Sequence, residues 1–184
     1  MLHTRASSTM PRATLIGYRA TGKTSVARTL AGVLGVAWID ADLELAGRCG
    51  RSIAEIIASE GEPGFRARES ALLEELLDNP ACVLATGGGV VLAESNRRLL
   101  DRAGRPIVWL TADAATIRRR IAADPSTATT RPALGGSDVL EEVATTLARR
   151  EPLYAGLADL VIETAAVAPQ AIAQQVAAWL KEGM

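Results

Sequence analysis

The sequence has 184 residues, 48% of them hydrophobic, and a formal net charge of −1. That length and apolar share suit one folded domain, and the near-neutral charge argues against a general nucleic-acid binder, which needs a clearly basic surface. No apolar run approaches the ~20 residues of a membrane span, Met1 to Arg12 lacks the apolar stretch of a signal peptide, and the two widely separated cysteines, Cys49 and Cys82, form neither a disulfide framework nor a metal signature.

These features lead us to expect a cytoplasmic protein with reduced thiols and with no membrane or nucleic-acid partner. Residues 1–12 read as a frayed extension and 13–184 as a single domain.

In chain order, Ala13-Thr14-Leu15-Ile16 is a β-prone run that ends in Gly17. Ser25 to Leu34 has helical spacing, with Val26, Leu30, Val33 and Leu34 on one side and Gly35 as a C-cap. Val36 to Ile39 reads as a second strand, closed by Asp40-Ala41-Asp42. Ser52-Ile53-Ala54-Glu55 is a capping-box pattern that opens a short helix. Gly61 to Gly64 breaks it, and Phe65 to Leu77 resumes it.

Cys82 to Ala85 is a third strand, running into Thr86-Gly87-Gly88-Gly89. A helix over Glu94 to Ala103, a strand over Pro106 to Leu110 and a helix from about Asp113 to Ala123 follow. Asp124 to Ser137, rich in Pro, Thr, Ser and Gly, is a loop. Val139 to Arg150 is helical, Leu160 to Ile162 a last strand, and Pro169 to Leu180 a last helix. Strands alternating with helices imply a three-layer α/β/α domain with a five-stranded parallel sheet, whose ligands sit beyond the carboxyl ends of the strands.

Gly17-Tyr18-Arg19-Ala20-Thr21-Gly22-Lys23-Thr24 matches the phosphate-loop pattern G-x-x-x-x-G-K-[ST], between a strand and a helix as the pattern requires. Gly17 and Gly22 permit the backbone angles that turn successive N–H groups toward phosphates. The helix N-terminus adds partial positive charge. Lys23 can reach the β- and γ-phosphates and Thr24 can ligate Mg²⁺. The chain has 20 basic residues, of which only Lys23 and Lys181 are lysine, so a lysine at this position is informative. A phosphate loop does not reveal the acceptor, because motors, GTPases and kinases all use one.

Further clusters fall on the same side of the sheet. These are Asp40-Ala41-Asp42, Phe65-Arg66-Ala67-Arg68-Glu69 and Gly87-Gly88-Gly89. Taken in chain order with the phosphate loop, Gly61-Glu62, Arg131-Pro132 and Arg150-Glu151-Pro152-Leu153-Tyr154, they resemble shikimate kinase, in the nucleoside-monophosphate-kinase-like group of P-loop proteins. The resemblance runs from about Ala13 to Thr164.

It implies an ATP- and Mg²⁺-dependent enzyme that transfers the γ-phosphate to the 3-hydroxyl of shikimate, giving shikimate 3-phosphate and ADP in aromatic amino-acid biosynthesis; we expect it to act as a monomer. Gly17, Ala20, Thr21, Gly22, Lys23, Thr24 and Ser25 would surround the nucleotide phosphates. Asp42 would hold the substrate hydroxyls and help remove a proton, with Asp40 and Thr24 at the metal. Arg66 and Arg150 would clamp the shikimate carboxylate, with Glu69 orienting Arg66. Gly87, Gly88 and Gly89 would approach substrate and γ-phosphate. Residues 124–137 would be a mobile lid carrying Arg131, and Arg120, in a run with Arg118 and Arg119, would stack on adenine. The substrate-binding segment would span about 40–70, and Lys23, Asp42 and Arg131 would carry the catalysis.

Plainer readings stand beside several of these. Asp40 and Asp42 can act as helix N-caps, Arg66 can form a surface salt bridge with Glu69 or Glu62, and the three glycines can form a flexible turn. Arg68 has no matching role and reads as solvated. Departures from the family pattern are the bulky Tyr18-Arg19-Ala20-Thr21 filling of the loop, a longer lid, and the lack of polar residues after Thr164, where no base contacts are assigned. Rival functions are a kinase of another small hydroxy acid such as gluconate, a nucleotide-responsive binding module without turnover, and a purely structural domain.

Overall fold

The computed structural model describes residues 12–78, 82–123 and 139–183, with the side chains of the last stretch described from residue 143. The strands are β1 (Ala13–Ile16), β2 (Ala37–Asp40), β3 (Cys82–Ala85), β4 (Ile107–Thr111) and β5 (Leu160–Glu163). They form one sheet in the order β2-β3-β1-β4-β5, and every neighbouring pair is parallel. The described residues also form seven α-helices: α1 (Lys23–Leu34), α2 (Ala41–Cys49), α3 (Ile53–Leu77), α4 (Glu94–Ala103), α5 (Ala114–Ala123), α6 (Val139–Ala155) and α7 (Pro169–Glu182). None of them is long and apolar enough to cross a membrane.

The strands are short apolar runs because both sheet faces are covered. Side-chain alternation divides the core in two. Ala13, Leu15, Val83, Ala85, Val108 and Leu110 pack on one face with Val26 and Leu30 of α1 and Ile172 and Val176 of α7. Ile16, Leu84 and Ile107 pack on the other with Phe65, Leu73 and Leu77 of α3, Leu100 of α4 and Tyr154 of α6. A third, smaller cluster joins Tyr18 of the phosphate loop to Ala112, Ile117, Val143 and Leu147. Since all strands run the same way, Gly17, Asp40, Thr86, Ala112 and Thr164 share one edge of the sheet.

Local signals explain most element boundaries. At the start of α3, Ser52 Oγ accepts from the Glu55 N–H at 3.2 Å, while Glu55 Oε2 accepts from the Ser52 N–H at 2.7 Å. Gly35 ends α1 with φ 67°.

Four expectations need correction. The break expected over Gly61 to Gly64 narrows to a kink at Gly61 (φ 71°, ψ 171°). Pro63 then falls in the first turn of the new helical stretch, where its missing N–H breaks no helical bond. Helix α2 was not anticipated, because its one buried residue, Leu45, leaves no apolar period to detect. A 3-10 turn at Val90–Leu92 follows the glycines. Helix α6 runs past Arg150 to Ala155, and the extension carries Tyr154 into the core with Leu153 packed against it.

Candidate active site

The phosphate loop is shaped by positions that only small residues tolerate. Gly17 has φ 142°, and a β-carbon there would collide with the Leu110 carbonyl oxygen. Gly22 has φ 92° and precedes α1 without a side-chain cap, which leaves the first-turn amides of the helix facing the loop. Ala20 lies in the left-handed region at φ 61°, an uncommon choice for a residue with a β-carbon. Buried Thr21 donates through its hydroxyl to the Tyr18 carbonyl at 2.8 Å. Lys23, also buried, donates through Nζ to the carbonyls of Gly17 and Tyr18, each at 2.8 Å. Its ammonium therefore lies within the turn it is expected to serve. Ser25 lies half-buried in the first turn of α1, and its carbonyl accepts from the Thr29 hydroxyl.

Asp40 ends β2 and caps α2. Its Oδ1 accepts from the N–H groups of Asp42 at 3.0 Å and Leu43 at 3.2 Å. Its Oδ2 accepts from the Thr24 hydroxyl at 2.5 Å. The cap thus uses one carboxylate oxygen of Asp40 and leaves the other on Thr24. Asp42 is not a cap, since it lies inside the first turn of α2, half-buried beside that carboxylate. The hydroxyl and carboxylate of Thr24 and Asp40 are hard oxygen donors of the kind Mg²⁺ takes. The described residues contain no cluster of three or more His, Cys, Asp or Glu that could hold a metal. A magnesium ion here would therefore complete its shell with water and phosphate oxygens, as such ions commonly do.

Arg66 and Arg150 meet around one peptide unit. Arg66, on α3, bonds Glu69 at 2.6 Å and Glu62 at 3.1 Å and lies 5.0 Å from the Phe65 ring. The salt bridges expected from the plainer reading are present, but the side chain is only 23% exposed, so they are not an ordinary surface pair. Burial is the largest single influence and opposes the charge. Glu69 and then Glu62 outweigh it, holding Arg66 above the usual guanidinium value. A β-carbon on Gly89 would sit 2.5 Å from Arg66 Cζ, so the guanidinium rests on the bare glycine. Arg150, on α6, donates to the Gly88 carbonyl at 3.2 Å, and Tyr154, one turn later, donates to the same oxygen at 2.5 Å. Burial pushes the Tyr154 phenol up to about 12.

All three glycines are buried. Gly88 and Gly89 are required for close approach rather than for a left-handed backbone. A β-carbon on Gly88 would come to 3.0 Å from the Arg19 amide nitrogen in the phosphate loop. The Gly88 carbonyl is also held by two donors, which a flexible turn would not provide. The Gly87 carbonyl accepts from Val90 N–H at 3.2 Å.

Arg120 bonds carbonyls of two segments, Ala20 in the loop and Thr164 after β5. Arg68 is not merely solvated, since it pairs with Glu60 at 2.7 Å. Arg131 and the expected lid, 124–137, lie outside the described residues. Two residues near the site carried no expectation. Tyr18 places its ring 5.4 Å from Arg150 Cζ. Tyr154 supplies the second donor to Gly88. The sequence showed Tyr18 only as a variable loop position and Tyr154 only as part of a motif.

A family model described as shikimate kinase matches residues 19–181. A shikimate kinase 2 of Pectobacterium carotovorum is 42% identical over 162 residues, which cover 88% of this chain and 91% of the relative. A shikimate kinase of Rhodopirellula baltica is 43% identical over 150 residues, covering 82% of this chain and 80% of the relative. Among solved structures, the shikimate kinase of Acinetobacter baumannii in complex with shikimate has a TM-score of 0.86 at 34% identity, over 96% of each chain. A gluconokinase of Sinorhizobium meliloti has a TM-score of 0.56 at 14% identity and shares the fold alone.

Proposed function

The chain belongs to the shikimate kinase family, and from that premise we propose that it transfers the γ-phosphate of ATP to the 3-hydroxyl of shikimate. The observation that carries the proposal is the pair of guanidiniums at the Gly88–Gly89 unit, directly beside the phosphate loop. Two planar forks set close together suit a carboxylate, which each can bond at two points. The loop suits a triphosphate.

In this mechanism the amides from Gly17 to Ser25 hold the phosphates, and Lys23 balances charge on the transferring group. Arg66 and Arg150 hold the acceptor carboxylate, and Glu69 keeps Arg66 oriented. Asp42 holds the acceptor hydroxyls and takes up the proton of the attacking one. The backbone of Gly87, Gly88 and Gly89 closes the space between the two ligands. Thr24 and Asp40 would hold Mg²⁺, which when bound neutralises phosphate charge. Arg120 offers a flat face to adenine. Arg131, with the lid at 124–137, adds a further cation, and lid closure limits loss of phosphate to water. The rate comes mainly from alignment and charge stabilisation.

We read residues 13–184 as one catalytic domain that works as a cytoplasmic monomer. Its exposed large apolar side chains among the described residues, Val33, Leu43, Leu92, Val161 and Val167, sit on five different segments rather than forming one patch on a single element. Sedimentation of the purified chain as a stable dimer would overturn the monomer reading.

The direct test is ADP release with ATP, Mg²⁺ and either shikimate, gluconate or no acceptor. Release that depends on shikimate is expected. Equal release with gluconate, or none with any acceptor, would sink the proposal.

A further inference from the structure

Arg120 is expected to meet adenine, yet the edge of its guanidinium is occupied by protein. Nη1 donates to the Ala20 carbonyl at 3.2 Å and to the Thr164 hydroxyl at 3.0 Å. Nη2 donates to the Thr164 carbonyl at 2.5 Å and faces the Ala165 carbonyl at 3.5 Å. A guanidinium whose two terminal nitrogens are held in this way has a fixed plane, which can present its face to a base.

The partners matter. Ala20 occupies the left-handed region at φ 61°, a conformation that costs a residue with a β-carbon and persists only where the surroundings hold it. Its carbonyl belongs to the Ala20–Thr21 peptide. Fixing that oxygen fixes the plane of an amide in the middle of the phosphate loop. Thr164 is 1% exposed, and its hydroxyl donates to the Thr111 carbonyl at 3.1 Å. A hydroxyl has one proton to give. With that proton committed to β4, the lone pairs of Thr164 are turned toward Arg120. The chain of contacts thus runs from the end of β4, through Thr164 and Arg120, to the apex of the loop.

We propose that Arg120 is a positioning residue for the phosphate loop, anchored by Thr164, in addition to any contact it makes with the base. The inference rests on the reading of Gly17 to Thr24 as a triphosphate site.

The test separates the edge of the guanidinium from its face by using a ligand without a base. Calorimetric titration of the full-length chain with ADP and with inorganic tripolyphosphate, each with Mg²⁺, is compared for the wild type, Thr164→Val, Thr164→Ser and Arg120→Leu. We expect Thr164→Val to weaken both ligands by a similar factor, about fivefold. Thr164→Ser, which keeps the hydroxyl, should bind as the wild type does. Arg120→Leu, which keeps the aliphatic packing, should also lose affinity for tripolyphosphate. In turnover, the KM for ATP should rise in Thr164→Val while the KM for shikimate stays unchanged.

Unchanged tripolyphosphate affinity in both Arg120→Leu and Thr164→Val would overturn the inference, leaving Arg120 a base contact only. A wild-type chain that binds neither ligand would instead overturn the triphosphate reading, and this inference with it.

Discussion

Asp40 and Thr24 are joined by a hydrogen bond of 2.5 Å between the end of β2 and the first turn of α1. The same carboxylate caps α2 through its other oxygen. One side chain therefore carries a structural duty and a proposed metal duty on separate atoms, and substitution can separate them.

Asparagine at position 40 keeps a cap acceptor but removes the charge. Asp40→Asn should therefore leave the thermal midpoint within a few degrees of wild type while raising the Mg²⁺ concentration needed for half-maximal activity roughly tenfold. Asp40→Ala should lose both duties, with about 1 kcal/mol of stability gone and a fall in midpoint of roughly 2–4 °C. Melting curves and a Mg²⁺ titration of both variants check this. Equal Mg²⁺ dependence in Asp40→Asn and wild type would remove Asp40 from the metal site.

Lys23 donates to the Gly17 and Tyr18 carbonyls. Lys23→Ala should lower kcat roughly a hundredfold or more, the scale for removing one preorganised charge from a transition state. Shikimate binding, followed by calorimetry in the absence of nucleotide, should remain, since Arg66 and Arg150 are untouched. Full turnover by Lys23→Ala would refute the phosphate assignment.

A β-carbon at position 89 would meet the far end of the Arg66 side chain rather than backbone. Gly89→Ala should therefore push the guanidinium aside, loosening its bond to buried Glu69 at a cost in stability and raising the KM for shikimate roughly tenfold to a hundredfold. Arg66→Lys should do likewise, because an ammonium keeps the charge but lacks the planar fork. Steady-state kinetics with shikimate varied at saturating ATP reads both. A KM for shikimate unaltered in both variants would detach Arg66 from the acceptor carboxylate.

Tyr154 has its phenol raised by burial from the ordinary 10.0 to about 12. The sign follows from linkage. The folded state favours the neutral phenol, so its contribution is fully present below pH 10, where both states are protonated. It is lost as pH rises toward 12, where the unfolded chain ionises first. Between pH 7 and pH 11.5 the wild type should lose about 2 kcal/mol more stability than Tyr154→Phe, which has no proton there. Tyr154→Phe should also be less stable at neutral pH by about 1 kcal/mol, because the buried Gly88 carbonyl loses a donor. Urea unfolding at pH 7, 10 and 11.5 measures both. Parallel pH dependence in the two proteins would show that the hydroxyl is not held as described.

Much of this protein is determined by stretches of sequence short enough to read directly. The phosphate loop occupies eight successive residues, Gly17 to Thr24. Its chemistry is written in adjacent positions, because backbone angles and a helix N-terminus are local properties. The five strands were legible because each is a brief apolar run between breakers, and the capping box at Ser52 because its two partners are three residues apart. The proposed roles of Arg66, Arg150 and the acidic pair were legible only through the order of their motifs along the chain, since each short string also has a plain structural reading.

Tertiary structure decided which of those groups meet, and it did so through contacts that no local pattern encodes. The Gly88 carbonyl takes donors 62 and 66 positions away, from Arg150 and Tyr154. Arg120 reaches the Ala20 carbonyl across 100 positions. Asp40 both caps α2 and bonds Thr24 because β2 and the start of α1 end side by side at one edge of the sheet. The physical reason is the same in each case. A hydrogen bond is fixed by the direction and distance of two groups, and for groups far apart in the chain only the packed sheet and its helices set those.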